Sequence, residues 1–302
     1  MSKAFVFAFL LSGAVAQTNP AASNMDQRVK AAIARFPGAV SLYAKNVDTG
    51  ASYGVREDGR VRTASTIKLP IMAAIFNAVE EGHAKWDEQL VMHASDKVSG
   101  SGVLFEFSDG DRFTIADLVH LMIVVSDNTA TNLLLDRFTA DAVNAYLDKL
   151  GLKQTRSLRK ILGDGKNLKP VPTGFSKEGR MEENKRFGIG VSTPHEMVTL
   201  LEKIARGQVV SAAASEEMLK IMERQQDRNG IDRRLGESKV ANKTGALDHL
   251  RSDVGIVFTP GGRIAIAITC EDIPKVDWSP DNPGLLAISE LTGILVDGLS
   301  RQ

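Results

Sequence analysis

Three short strings, Ser65-Thr66-Ile67-Lys68, Ser126-Asp127-Asn128 and Lys243-Thr244-Gly245, follow one another in an order that supplies a nucleophile, a base, a proton relay and an anion site without a histidine. A Ser and a Lys three residues apart share one face of a helix, which places Lys68 to take the proton of the Ser65 hydroxyl. An amine does so only when burial or a second cation depresses its pKa, and Lys243 is the candidate cation. Ser126 is suited to pass a proton to a leaving nitrogen. Asn128 carries both a donor and an acceptor and suits a substrate amide, while Asp127 has a plainer use as the cap of the helix that follows. Lys243 and Thr244 suit a carboxylate, and Gly245 lets an extended substrate approach a strand edge. The backbone N–H groups of Ser65 and Ala246 are the candidate oxyanion donors. Arg251, on the next strand, is a candidate second contact to the carboxylate. The chemistry that these groups suit is acyl transfer to Ser65. Ser-x-x-Lys alone is a weak signal, since it recurs at Ser157-Leu158-Arg159-Lys160; the trio in order is a specific one.

Positioning these strings requires elements that the hydrophobic spacing supplies. Residues 25–36 have helical spacing and stop at Pro37-Gly38. Two strands follow, residues 39–47 and 51–55, joined by a turn at Asp48-Thr49-Gly50. From Ile67 to about Leu150 the period is helical. Residues 155–192 have no clean period and read as a long surface loop bordering the site. Thr193 and Pro194 open a helix to about Arg206, and another runs from about Ser215 to Arg224. Strands are expected over residues 239–244, 251–258 and 263–269, the last two joined by a hairpin at Thr259-Pro260-Gly261-Gly262, with a final helix over residues 283–299. The order predicts an α+β fold, a five-stranded antiparallel sheet with the terminal helices packed on it plus a mostly α-helical lobe. The sheet lobe takes residues 25–60 and 193–302, and the helical lobe takes 61–192.

Composition narrows the function classes. In 302 residues, Lys plus Arg and Asp plus Glu number 37 each, so no electrostatic footprint for nucleic acid is present. No stretch reaches about 18 uninterrupted apolar residues, and no membrane span is expected. Lys3, the apolar run from Ala4 to Leu11 and Ala14-Val15-Ala16 read as an export signal over residues 1–16, making the mature protein secreted or periplasmic. Cys270, the sole cysteine, ends an apolar run and is expected to fill a core strand. The five histidines lack ligand spacing, so neither metal nor cofactor is expected. No Gly-x-Ser-x-Gly elbow is present, which counts against a Ser/His/Asp hydrolase. A monomer is the simplest expectation.

The chain resembles the class A serine β-lactamases and the related penicillin-binding proteins. The resemblance runs from Val40 to about Leu299 and is carried by the segments 61–69, 125–134, Ser192-Thr193-Pro194-His195-Glu196-Met197 and Lys243-Thr244-Gly245-Ala246. It implies a two-lobe fold with Ser65 at the start of a helix between the lobes, acylation of Ser65 by a β-lactam, and hydrolysis of the ester. The family has a Glu-x-x-Leu-Asn string in the long loop, where the Glu activates water, and this sequence departs from it. Glu182, in Arg180-Met181-Glu182-Glu183-Asn184, is the candidate, with Glu178 and Glu183 as rivals and plain solvated loop charges as the alternative. The leading expectation is a secreted β-lactamase. The alternatives are a D-Ala-D-Ala carboxypeptidase or related serine esterase that acts on peptidoglycan-like substrate and releases its acyl group slowly, or a catalytically silent binder of cell-wall fragments.

Overall fold

A computed structural model of the chain describes Met1, residues 20–164 and residues 168–300; apart from Met1, the expected export signal lies outside them. The chain opens with α1 (Pro20–Arg35), β1 (Ala39–Asn46), β2 (Ser52–Val55) and β3 (Val61–Arg62), then α2 (Lys68–Glu80). The hairpin β4 (Gln89–Val91) and β5 (Arg112–Thr114) leads into α3 (Ile115–Val124), α4 (Asn128–Phe138) and α5 (Ala140–Lys149). After β6 (Arg156–Ser157) and β7 (Gly190–Ser192) come α6 (Pro194–Ala205), α7 (Ala212–Met222), β8 (Val240–Leu247), β9 (Leu250–Thr259), β10 (Gly262–Glu271) and α8 (Pro283–Ser300).

The main sheet is antiparallel, five-stranded and ordered β2-β1-β10-β9-β8. Its two faces differ in side-chain size because successive residues of a strand point opposite ways. Ile264, Ile266, Ile268 and Cys270 of β10 pack with Met25, Val29, Ile288, Leu295 and Leu299 from the terminal helices. Ala265 and Ala267 face the other way, and their small side chains let α6 lie close, bringing Met197, Val198 and Leu201 into the same core. Cys270 is fully buried there, as expected of a core strand. By length and composition α8 is apolar enough to cross a membrane. Its Ile288, Leu291, Leu295 and Leu299 are instead buried within the protein.

On the inner face of the sheet, α2 is wrapped by other helices, with Leu69, Ile71, Met72 and Ile75 almost wholly excluded from solvent. Helix starts follow local chemistry. Thr193 Oγ1 accepts from the Glu196 N–H to cap α6, as its position predicts. The helix expected from Ser215 begins at Ala212, because Ser211 Oγ accepts from the Ala214 N–H at 3.2 Å and moves the start one turn earlier. The strand expected to end at Thr244 continues to Leu247, since its pairing with β9 closes at Leu247 opposite Leu250.

The described parts of residues 155–192 carry more regular structure than their lack of period suggests. β7 pairs with both β6 and β3, and Leu158, Phe187 and Val191 form a small core of their own. Two- and three-residue strands are too short for a periodicity to register. Their function in the fold is to hold β3, which delivers the chain to Ser65.

Candidate active site

Ser65 sits in a 3₁₀ turn, Ala64–Ile67, and α2 begins three residues later at Lys68. The turn runs without a break into α2, so Ser65 lies at the start of this helical segment. Thr66 fastens the turn by donating from both its N–H (3.1 Å) and its Oγ1 (2.8 Å) to the Thr63 carbonyl. β8 then runs against the turn at Gly245. A Cβ on Gly245 would fall 2.8 Å from Thr63 O, 3.1 Å from Thr66 Cγ2 and 3.2 Å from Ser65 N, so only glycine permits this approach. The half-buried Ser65 and the exposed Ala246, the next residue along β8, are thereby brought to one edge.

The two lysines converge on Ser126. Lys68 Nζ donates to Ser126 O (2.6 Å), Ser126 Oγ (3.2 Å), Asn128 Oδ1 (3.0 Å) and Asp127 O (3.5 Å). Lys243 Nζ donates to Ser126 Oγ (3.0 Å) and Thr244 O (2.8 Å). Among the described residues none of these bonds goes to Ser65; the Lys68 amine is held by the Ser126–Asn128 turn. Ser126 reaches both amines through a left-handed backbone, φ +57°, a conformation costing a non-glycine residue about 1–2 kcal/mol. Asp127 is the cap that its position predicts. Its Oδ1 accepts from the Ala130 N–H (2.8 Å) and its Oδ2 from the N–H groups of Val103 (2.6 Å) and Leu104 (2.8 Å).

Both amines are fully buried. Burial, then the like charge of Lys243, push Lys68 well below the ordinary lysine range, against the opposing pull of Asp127. Burial lowers Lys243 to about 8, with Asp253 and Asp227 favouring its charged form. Two ammonium groups sharing one hydroxyl repel each other, and the more strongly depressed one loses its proton first. Burial and the neighbouring ammonium thus both favour the neutral form of Lys68, while Asp253 and Asp227 favour the charged form of Lys243.

Asp253 was not singled out by its sequence position, and it stands directly behind this pair. It faces Thr244 across β8 and β9, is fully buried, and accepts from the Ile231 N–H (2.8 Å) and from Asn242 Nδ2 (3.0 and 3.1 Å). Its burial pushes the carboxyl up to about 7. The signal was the single carboxylate of β9. Asn132 was missed too. One turn after Asn128, it pins the long loop by donating to Ile161 O (2.9 Å) and accepting from the Ile161 N–H (2.8 Å).

Two expected site residues lie elsewhere. The Glu182 side chain is 83% exposed and ion-paired with Lys185, because the 3₁₀ turn Glu182–Phe187 buries Phe187 and turns its acidic start outward. Glu183 is exposed as well, and Glu178 accepts from Asn144 Nδ2 (2.9 Å). All three are structural or solvated charges. Arg251 is buried with its guanidinium committed to backbone carbonyls, Leu247 O (2.6 Å), Leu250 O (2.7 Å) and Asp277 O, and stacked 4.5 Å from the Trp278 ring. It fastens the β8–β9 turn and is not a free anion contact. The second Ser-x-x-Lys is also structural, with the Ser157 N–H donating to Asn144 Oδ1 (2.8 Å) and Lys160 paired with Asp136 (2.5 Å).

A sheet with helices on both faces and a serine turn beside two buried lysines is an arrangement that can be compared with known proteins. A profile of the β-lactamase enzyme family matches residues 24–299. Beta-lactamase L2 of Stenotrophomonas maltophilia is 26% identical over 226 residues, covering 71% of this chain and 66% of that protein. The β-lactamase of Sphaerobacter thermophilus superposes with a TM-score of 0.79 at 31% identity, covering 93% of this chain and 98% of that one. A mutant of PBP-A, solved as an acyl-enzyme complex with penicillin G, superposes with a TM-score of 0.77 at 27% identity, covering 93% and 97%. The chain belongs to the β-lactamase enzyme family and is a hydrolase of that family.

Proposed function

We propose that the chain is an exported enzyme that opens β-lactams through an acyl ester on Ser65. The observation that carries this reading is the convergence of two buried amines, Lys68 and Lys243, on the Ser126 hydroxyl beside the Ser65 turn. Lys68, its neutral form favoured by burial and by the charge of its neighbour, takes the Ser65 proton as Oγ attacks the lactam carbonyl. Ser126 Oγ, within hydrogen-bonding distance of both amines, passes a proton to the lactam nitrogen as the C–N bond breaks. The N–H groups of Ser65 and Ala246 stabilise the oxyanion. Lys243 and Thr244 hold the substrate carboxylate, and Asn128 its amide. Water then hydrolyses the ester.

The position of Glu182 favours slow hydrolysis as a second reading. With that carboxylate in solvent, the ester outlives its formation, as in a penicillin-binding protein acting on peptidoglycan-like substrate. A chromogenic cephalosporin separates the readings. Steady colour release by the wild type, abolished in Ser65→Ala, supports the lactamase; a single burst with a penicillin adduct on Ser65 lasting hours supports the slow acyl-enzyme. Absence of any Ser65 adduct sinks both and leaves a silent binder.

A further inference from the structure

The last turn of α2 borders a cavity of about 380 Å³ that lies apart from the Ser65 turn. Along the helix, Phe76 on its wall is about 12 Å from Lys68 at 1.5 Å per residue. Three helices enclose the space. Each presents residues four apart, which share one helix face: Phe76 and Glu80 of α2, Ala116 and His120 of α3, and Ala213, Glu217 and Ile221 of α7. Trp86 adds a further wall. Its ring meets that of Phe76 edge-on, centroids 4.6 Å apart, and its carbonyl accepts from the Ala116 N–H (3.1 Å) at the start of α3.

The wall combines an apolar surface with negative charge. Phe76, Trp86, Val119 and Ile221 supply hydrocarbon and aromatic faces, and among the described residues the only fully charged side chains lining the cavity are the carboxylates of Glu80 and Glu217. No Lys or Arg lines it. Glu80 is exposed and has no ion pair among the described residues. Glu217 is half-buried, and its contact with Lys220 is long, 3.9 Å, because that amine lies 2.8 Å from Glu216. His120 Nδ1 is 2.8 Å from Ala116 O. A carbonyl requires a proton on that nitrogen, so Nε2 of the neutral ring is a further acceptor.

We propose that this cavity is a binding site for a small primary ammonium ion carried on an aryl or alkyl body. An ammonium has three donors and no acceptor, matching two carboxylates and an imidazole nitrogen, and aromatic faces attract it as well. The hydrocarbon body packs against Phe76, Trp86, Val119 and Ile221. An anionic ligand meets two like charges there. The volume falls within the range of small-molecule sites, about 300–1,000 Å³. Binding requires nothing of Ser65.

The chain has two tryptophans, Trp86 and Trp278, so Trp278→Phe leaves Trp86 emission as a reporter in the cavity wall. Titration of that variant with 2-phenylethylammonium is expected to change the emission saturably, with a matching isotherm by calorimetry on the unaltered chain. Glu80→Gln combined with Glu217→Gln keeps the shape and removes the charge, and is expected to weaken binding about tenfold, the effect of two partly exposed charge pairs. Neutral 2-phenylethanol is expected to bind more weakly than the ammonium by a similar factor. Ala213→Leu, at an exposed position of α7, puts a longer side chain into the cavity without disturbing the core and is expected to abolish saturation. Absence of both an emission change and binding heat overturns the proposal. Unchanged affinity in the double carboxylate variant, or equal affinity for the alcohol, overturns the selection of a cation. Unchanged affinity in Ala213→Leu places the bound ammonium elsewhere and overturns the site.

Discussion

Charge placement around Ser126 Oγ fixes how activity must depend on pH. Lys243 holds the carboxylate only as an ammonium, and its pKa of about 8 places the loss of that charge just above neutrality. Lys68 has to be neutral, and burial beside Lys243 favours that form. Rising pH therefore leaves the base intact and removes the anion contact, so KM climbs above about pH 8 before kcat falls. Asp253 favours the charged form of Lys243, so Asp253→Asn removes a stabilising negative charge and shifts the alkaline limb to lower pH. A pH series of kcat and KM for both proteins checks this. A limb that stays put or moves upward in Asp253→Asn would show that the carboxylate does not act on Lys243.

At the scale of elements, the site depends on how closely β8 approaches the Ser65 turn. Gly245→Ala places a methyl 2.8 Å from Thr63 O and 3.2 Å from Ser65 N, and both partners are backbone, so strand and turn must part. The expected outcome is a stability loss of about 1–3 kcal/mol, as for other overpacked sites, with acylation reduced far more than unfolding accounts for. Denaturant curves read beside the rate of Ser65 adduct formation test it, and wild-type acylation in a destabilised variant would refute the role of this contact. Gly245 was legible from the sequence because its neighbours name a strand edge, and Asp127 because a carboxylate just before a helical run caps it. The fate of Glu182 and Arg251 was not legible. A charge in a loop or at a strand end takes its meaning from tertiary partners, Lys185 for one and the carbonyls of Leu247, Leu250 and Asp277 for the other. Asp253 escaped notice for the same reason, since only the register of β8 on β9 puts it behind Lys243.

For the whole molecule, the sheet divides two cores with different duties. The Ser65 turn, α2 and the helices around it share the core on the inner face, where Ile67, Leu69 and Ala130 join Ala265 and Ala267. The terminal helices and the isoleucine face of β10 form the other. Strand alternation puts Ile266 and Ala267, adjacent in sequence, into opposite cores, so they make a matched pair of probes. Ile266→Ala leaves a cavity beneath α1 and α8 and is expected to cost about 2–5 kcal/mol, while the acylation rate of the folded fraction stays near that of the wild type. Ala267→Leu forces extra volume between the sheet and α6, at about 1–3 kcal/mol, and displaces helices sharing a core with the serine turn. It is therefore expected to slow acylation even well below its melting temperature. Parallel measurements of thermal stability and Ser65 adduct formation at a temperature where both variants are fully folded decide the matter. Equal acylation rates in the two variants would mean that strain on the inner face does not reach the site.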